Sequence, residues 1–166
     1  VPVLVKVDST NVPNREGMRF YLEDGTKLPY EVENWNPTGE SSVWVKVPVL
    51  KASASTNIWG YYAQQAAAND AKQVWSSDYE VVEHFAALSE QTKDSTGQHT
   101  AQVVGEVATQ DGALGTAAKL TGQQKLVYDA VGAGNTQLTA SVVIDSEVFS
   151  DWAGLVCRDK NGGQKE

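Results

Sequence analysis

Met18-Arg19-Phe20-Tyr21-Leu22-Glu23-Asp24-Gly25-Thr26-Lys27-Leu28-Pro29-Tyr30-Glu31-Val32-Glu33-Asn34 is the stretch that decides the fold class. Two apolar and aromatic runs, residues 18–22 and 28–34, flank Glu23-Asp24-Gly25-Thr26, where Asp-Gly supplies the positive φ angles that a tight hairpin needs. Upstream, Val1, Val3, Val5 and Val7 alternate with period two, the spacing of a strand and not of a helix. Downstream, Asn36-Pro37-Thr38-Gly39 is a turn that leads into the strand Ser42-Val43-Trp44-Val45-Lys46-Val47. Pro48 denies a ladder donor and ends it. A small polar loop over residues 51–55 then gives way to an aromatic strand, Asn57-Ile58-Trp59-Gly60-Tyr61-Tyr62.

Composition shifts at Ala63-Gln64-Gln65-Ala66-Ala67-Ala68-Asn69-Asp70-Ala71, good helix formers in a run too short to be stable alone. A short helix or linker is expected there, with a domain boundary near residues 68–78. Beyond it, residues 79–85 alternate again, and glycine-punctuated strands follow around residues 102–106, 115–120, 125–128 and 137–144. A parallel sheet would need long crossover helices between its strands, and the sequence has none. The expectation is an all-β chain of two consecutive antiparallel β-sandwich, jelly-roll-like modules, residues 1–75 and 76–166.

The 166 residues are 41% hydrophobic and 20% charged, too apolar for a disordered chain. With 13 Lys plus Arg against 21 Asp plus Glu, the net charge is −8, and no basic surface is available to neutralise a phosphate backbone. Nucleic acid is not an expected partner. The apolar runs are far shorter than a membrane-spanning helix requires, so no direct membrane insertion by this segment is expected. A single cysteine, Cys157, leaves no disulfide framework and no cysteine-based zinc site. The opening residue is Val1 and not Met, and residues 152–157 read as a strand running into a polar tail, so the chain reads as a piece of something longer.

Two blocks of residues resemble known families. Val1-Pro2-Val3-Leu4-Val5-Lys6-Val7, Gly17-Met18-Arg19-Phe20, Leu28-Pro29-Tyr30-Glu31-Val32-Glu33-Asn34-Trp35-Asn36, Val43-Trp44-Val45-Lys46-Val47-Pro48 and Ile58-Trp59-Gly60-Tyr61-Tyr62 resemble, in order, the domain of unknown function 2341. That resemblance covers residues 1 to about 75 and implies an extracytoplasmic β-sandwich of prokaryotic surface proteins, in some chains ahead of a MotA/TolQ/ExbB-type segment. The second block is Val82-Glu83-His84-Phe85, Asp94-Ser95-Thr96-Gly97, Gly112-Ala113-Leu114-Gly115-Thr116-Ala117-Ala118-Lys119-Leu120-Thr121-Gly122 and Leu138-Thr139-Ala140-Ser141-Val142-Val143. It resembles the first half of a concanavalin-A-like, laminin-G-type lectin domain, so the second module is expected to be incomplete.

Enzymatic signals are thin. The sequence carries no Gly-x-Ser-x-Gly elbow, no phosphate loop and no His-Glu-x-x-His, and its histidines are His84 and His99. His84 reads as a structural strand residue and His99 as a loop residue. Strand alternation points Glu31 and Glu33 the same way, as a glycosidase carboxylate pair would require. A solvated acidic edge is the preferred reading of that pair. Trp44, Trp59 and Tyr61 would form one aromatic patch if their strands were neighbours, and burial in the core is its expected state. Trp35 and Trp152, beside turns, are the candidates for exposed, ligand-binding aromatics. The lectin resemblance implies calcium, with Asp94 of the Asp94-Ser95-Thr96-Gly97 turn as the candidate ligand; Asp94 also reads as a plain turn cap.

These readings converge on a non-catalytic, extracytoplasmic module of a larger cell-surface or secreted protein that binds carbohydrate or another cell-surface component. The alternatives are an assembly module contacting neighbouring domains or subunits, in a surface fibre or a MotA/TolQ/ExbB-type envelope complex, and an accessory part of a polysaccharide-degrading enzyme.

Overall fold

Six strands build the part of the chain that carries the hairpin: β1 (Pro2–Asp8), β2 (Arg19–Leu22), β3 (Lys27–Leu28), β4 (Tyr30–Asn34), β5 (Glu40–Lys46) and β6 (Ile58–Tyr61). In this computed structural model, which describes residues 1–86, 88, 91–134, 136–145 and 154–157, they form two antiparallel sheets ordered β1-β5-β4 and β3-β2-β6. The Asp24-Gly25 hairpin forms as expected, pairing Phe20 with Leu28 and Tyr21 with Lys27 across the turn, where Gly25 takes φ of 85°. The expected strand over residues 28–34 is split at Pro29. Lacking an N–H, Pro29 ends the β2–β3 ladder, and the chain crosses to the other sheet as β4.

Period-two alternation then decides which side chains meet. Phe20 and Leu28 point inwards from one sheet, and Val7, Tyr30, Val43 and Val45 from the other, with Met18 and Val12 between them. Phe20 meets Tyr30 edge to face, ring centres 5.3 Å apart. Met18, Leu28, Val43, Val45 and Val47 are fully buried, and each contributes about 2 kcal/mol by leaving water. Val5, Leu22, Val32 and Ile58 pack against this core from its edges, while Glu31, Glu33 and Trp44 on one sheet and Arg19, Tyr21, Trp59 and Tyr61 on the other face outwards.

The Ala-rich segment forms no helix. Residues 63–70 run as a strap whose polar groups bond to the strand region: Ala63 N–H donates to Gly17 O (3.1 Å), Ala67 N–H to Glu16 O (2.8 Å) and Asn14 Nδ2 to Gln64 O (2.7 Å), while the Asn69 amide bonds both backbone groups of Tyr30 (3.2 and 2.7 Å). A β-carbon on Gly17 would sit 1.8 Å from Ala63 O, so a glycine is required for the strap to lie this close. A short 3₁₀ turn, Ala71–Val74, capped by Asp70, follows and buries Val74 and Trp75. Residues 79–85, expected as a strand, form no ladder; they bond to the chain ahead through Ser95 N–H to Val82 O (2.7 Å), and Phe85 takes a positive φ of 53°.

The remaining strands, β7 (Gln91–Lys93), β8 (Thr100–Val104), β9 (Ala108–Asp111), β10 (Thr116–Lys119) and β11 (Lys125–Tyr128), form a three-stranded sheet β11-β8-β7 and a two-stranded sheet β10-β9. Every pairing is antiparallel, so the chain is all-β as its sequence implies. The chain divides into a unit spanning Val1–Val131 and a second spanning Gly132–Glu166. The boundary expected near residue 75 therefore falls inside the first unit. In the second unit the alternating residues 137–144 form no ladder with the described residues: alternation supplies a face, and a strand also needs a partner.

Candidate functional site

The outward face of the β1-β5-β4 sheet carries charge, and around Glu31, Glu33 and Trp44 it is covered. Glu31 lies opposite Trp44 in the register, and the ladder shifts between Val32 and Asn34, a bulge at Glu33. Residues 75–84 lie over this face. Trp75 Nε1–H donates to Glu31 Oε2 (2.6 Å) and Trp44 Nε1–H to Glu33 Oε2 (2.7 Å). Between the two carboxylates sits the imidazole of His84, with Nε2 3.3 Å from Glu31 Oε2 and Nδ1 2.5 Å from Glu33 Oε2. The Trp75 ring packs against Trp44, Tyr79 and His84 at centre distances of 5.6, 5.3 and 5.8 Å.

Both ring nitrogens of His84 face carboxylates, so both are donors and the ring is an imidazolium. Burial works against that charge, but the hydrogen bonds and charges of Glu31 and Glu33 outweigh it and push His84 up to about 9. Burial likewise works against the Glu31 carboxylate, and bonds from His84, Ser95 and Trp75 outweigh it and hold Glu31 below its ordinary value. The Glu33 side chain is only 6% exposed and the Glu31 side chain 17%. The expected solvated acidic edge is therefore corrected: both carboxylates are mostly buried, because Trp75, Trp44 and His84 close over them. The two carboxylates hold the two nitrogens of one ring; among the described residues no group of three or more His, Cys, Asp or Glu side chains could hold a metal ion.

A second polar knot ties the following segment. Tyr128 O–H donates to Glu83 Oε2 (2.7 Å) and Thr92 O–H to Glu83 Oε1 (3.3 Å); burial, then the Glu83 bond, push the Tyr128 phenol up. Asp94, 3% exposed, accepts from Thr96 N–H (2.8 Å) and the Thr96 hydroxyl on one oxygen, and from His99 N–H (2.7 Å) on the other. Its carboxylate closes the turn at Gly97, where φ is 74°.

Among the described residues, nothing covers the aromatic rings on the outward face of the β3-β2-β6 sheet. Register places Tyr21 opposite Trp59 and Arg19 opposite Tyr61. Trp59 is 52% exposed and Tyr61 54%, and the Tyr21 and Tyr61 rings stand 5.7 Å apart at 76°. With Arg19, Glu23 and Gly25 these rings line an open cleft of about 680 Å³. The Arg19 guanidinium is braced by Gly17 O (3.1 Å) and Gln65 O (3.4 Å). The expectation of one buried patch shared with Trp44 is corrected here: β5 and β6 belong to different sheets, so Trp44 goes under Trp75 while Trp59 and Tyr61 meet solvent. Gly60 was the available signal. It lies against the Phe20 ring, which fixes the inward side of β6 and hence the outward direction of its neighbours.

A family model described as a domain of unknown function, DUF2341, matches residues 14–101, more than half of the chain. The chain belongs to the DUF2341 family. No curated protein and no solved structure matches it. The family match runs through Trp75, His84 and Asp94, so the residues that seal the charged face fall within the DUF2341 region. Of the aromatics expected to bind ligand, Trp35 packs half-buried against the core of this domain, because the Asn36 turn folds it inwards; Trp152 lies outside the described residues. The DUF2341 region thus presents Trp59 and Tyr61 as its exposed strand aromatics, two residues that sequence reasoning had placed in the interior.

Proposed function

We propose that this DUF2341 chain is a non-catalytic recognition module of an extracytoplasmic protein and that it binds carbohydrate through the cleft on the β2–β6 face. The observation that carries the reading is the pair of half-exposed aromatic rings, Trp59 and Tyr61, on a regular strand beside Arg19 and Glu23. A sugar ring offers a C–H face that stacks on an aromatic ring and equatorial hydroxyls that reach polar side chains at the rim. The rings are held by a β-ladder and not by a mobile loop, so little ordering entropy is lost on binding. The non-catalytic half of the reading rests on Glu31 and Glu33, the carboxylate pair with the right alternation for glycoside hydrolysis. Both are engaged by indole and imidazole donors, which leaves neither free to protonate a leaving oxygen or attack a sugar.

Glycan-array binding of the intact chain and its Trp59→Ala variant, each with calcium and with chelator, tests this. Selective binding that the substitution abolishes is expected. Chelation should leave it unchanged, because both oxygens of Asp94 already accept backbone donors. Folded protein that binds no glycan would sink the reading and promote the assembly role, in which the same aromatic face receives a neighbouring domain.

A further inference from the structure

The cleft has an asymmetry that a platform for neutral sugars does not need. Along the outward side of β2 and into the turn the residues run Arg19, Tyr21, Glu23, a cation at one end and a carboxylate at the other. Arg19 is already braced by two backbone carbonyls. Glu23 is exposed and makes no hydrogen bond or ion pair with a described residue. Its neighbour Asp24 shows what a merely structural turn carboxylate does here: it accepts the Thr26 N–H at 2.9 Å and closes the hairpin. Glu23 has no such duty, yet it lines the cleft beside Tyr21, the residue paired with Trp59. The Tyr21 and Tyr61 rings stand at 76° to each other and so form two walls of a corner, and not a flat shelf.

A corner of aromatic rings with a free carboxylate at its rim is the chemistry that attracts a cation: the ring faces carry negative potential, and the carboxylate supplies a full charge. The net charge of −8 adds a long-range attraction of the same sign. Resting on the carbohydrate reading above, we infer that the cleft selects glycans whose sugars carry a protonated amine, with the sugar ring against Trp59 and the ammonium at Glu23. Neutral N-acylated sugars would keep the stacking contact and lose the charge contact.

Calorimetric titration of the intact chain at pH 5.5 with glucosamine oligomers and with N-acetylglucosamine oligomers of equal length tests the inference. The amine-bearing oligomer is expected to bind about fivefold more tightly, the size of one exposed cation–aromatic contact. Glu23→Gln should bring it down to the affinity of the acetylated oligomer, and Trp59→Ala should remove both. Equal affinity for the two oligomers, or a Glu23→Gln variant that still discriminates, overturns the inference and leaves carbohydrate binding standing. Amine-dependent binding that survives Trp59→Ala also overturns it, because bulk attraction to an acidic protein would then account for the preference. Absence of Trp59-dependent binding to either oligomer and to every array glycan overturns the carbohydrate reading itself.

Discussion

The two outward faces of the DUF2341 sandwich are built from similar residues and put to opposite uses. On the β4–β5 face, Glu31, Glu33 and Trp44 are roofed by Trp75 and His84, and each carboxylate has an indole donor and an imidazolium nitrogen. On the β2–β6 face, among the described residues, Arg19, Tyr21, Trp59 and Tyr61 have no roof and Glu23 beside them has no partner. A covered charge must be matched, because an unpaired carboxylate away from water costs several kcal/mol, whereas an exposed one is tolerated by solvent. Complete pairing therefore marks the face that holds the fold together, and incomplete pairing marks the face free for something else.

The largest effect is expected from breaking the covered face. His84→Gln removes the cation that bridges Glu31 and Glu33 and leaves two mostly buried carboxylates without it, at a cost of about 3 kcal/mol. Urea unfolding of the intact variant should show its midpoint falling accordingly, with loss of the near-ultraviolet signal of Trp75 and Trp44. An unchanged midpoint would mean that the imidazolium bridge contributes nothing to stability.

How much of this was legible in the sequence divides along the same line. The strand positions before residue 63 and the Asp24-Gly25 hairpin follow from local chemistry, which needs only neighbouring residues, and the structure reproduces them apart from the break at Pro29; the strands expected over residues 79–85 and 137–144 are not formed. The shared direction of Glu31 and Glu33 is local too, and alternation delivers it. What alternation cannot supply is what lies above a face. The roof comes from Trp75 and His84, 44 and 53 residues further on than Glu31, in a segment that makes no ladder and so leaves no period to read. The same blindness sent Trp59 and Tyr61 inwards: an aromatic strand reads as core unless one knows that β6 pairs with β2 and that Phe20 already fills the space over Gly60. Residues 63–70 fail for a related reason. Their composition favours a helix, but Gly17 offers a backbone surface close enough to take their hydrogen bonds, and tertiary contact overrides propensity.

A pH series sharpens the comparison with a smaller effect. His84 titrates at about 9 in the folded chain against an ordinary 6.5, so its stabilisation is fully present below pH 6.5 and is lost as pH rises through about 9. Allowing for solvent screening, the loss amounts to about 2 kcal/mol across that window. Glu31 acts in the other direction: its pKa is held down by its donors, so its contribution is present above the usual carboxylate range and is lost as pH falls through the lowered value. Stability should therefore peak between the two, at about pH 5 to 6.5. The decline between pH 6.5 and about 9 should vanish in His84→Gln, since no other group bridges these carboxylates among the described residues, whereas the raised Tyr128 phenol acts only above its ordinary value of about 10. A variant that keeps the decline would place its origin elsewhere in the chain.

The smallest effect belongs to the bare face, and its smallness is the informative part. Trp59 contributes a cross-strand contact to Tyr21 and buries only about half of its surface, so Trp59→Ala should lower stability by about 1 kcal/mol, well short of the His84→Gln effect. Its pH profile should match that of the unsubstituted chain, because no titrating group of the covered face touches it. Urea midpoints of Trp59→Ala and His84→Gln measured side by side decide whether the two faces differ in kind. If Trp59→Ala unfolds the chain as readily as His84→Gln, then the exposed ring is holding the sheet together, and a ligand could not use it without weakening the fold. If it costs far less, an aromatic side chain half in water is left without a structural reason for being there, and recognition becomes the reason that remains.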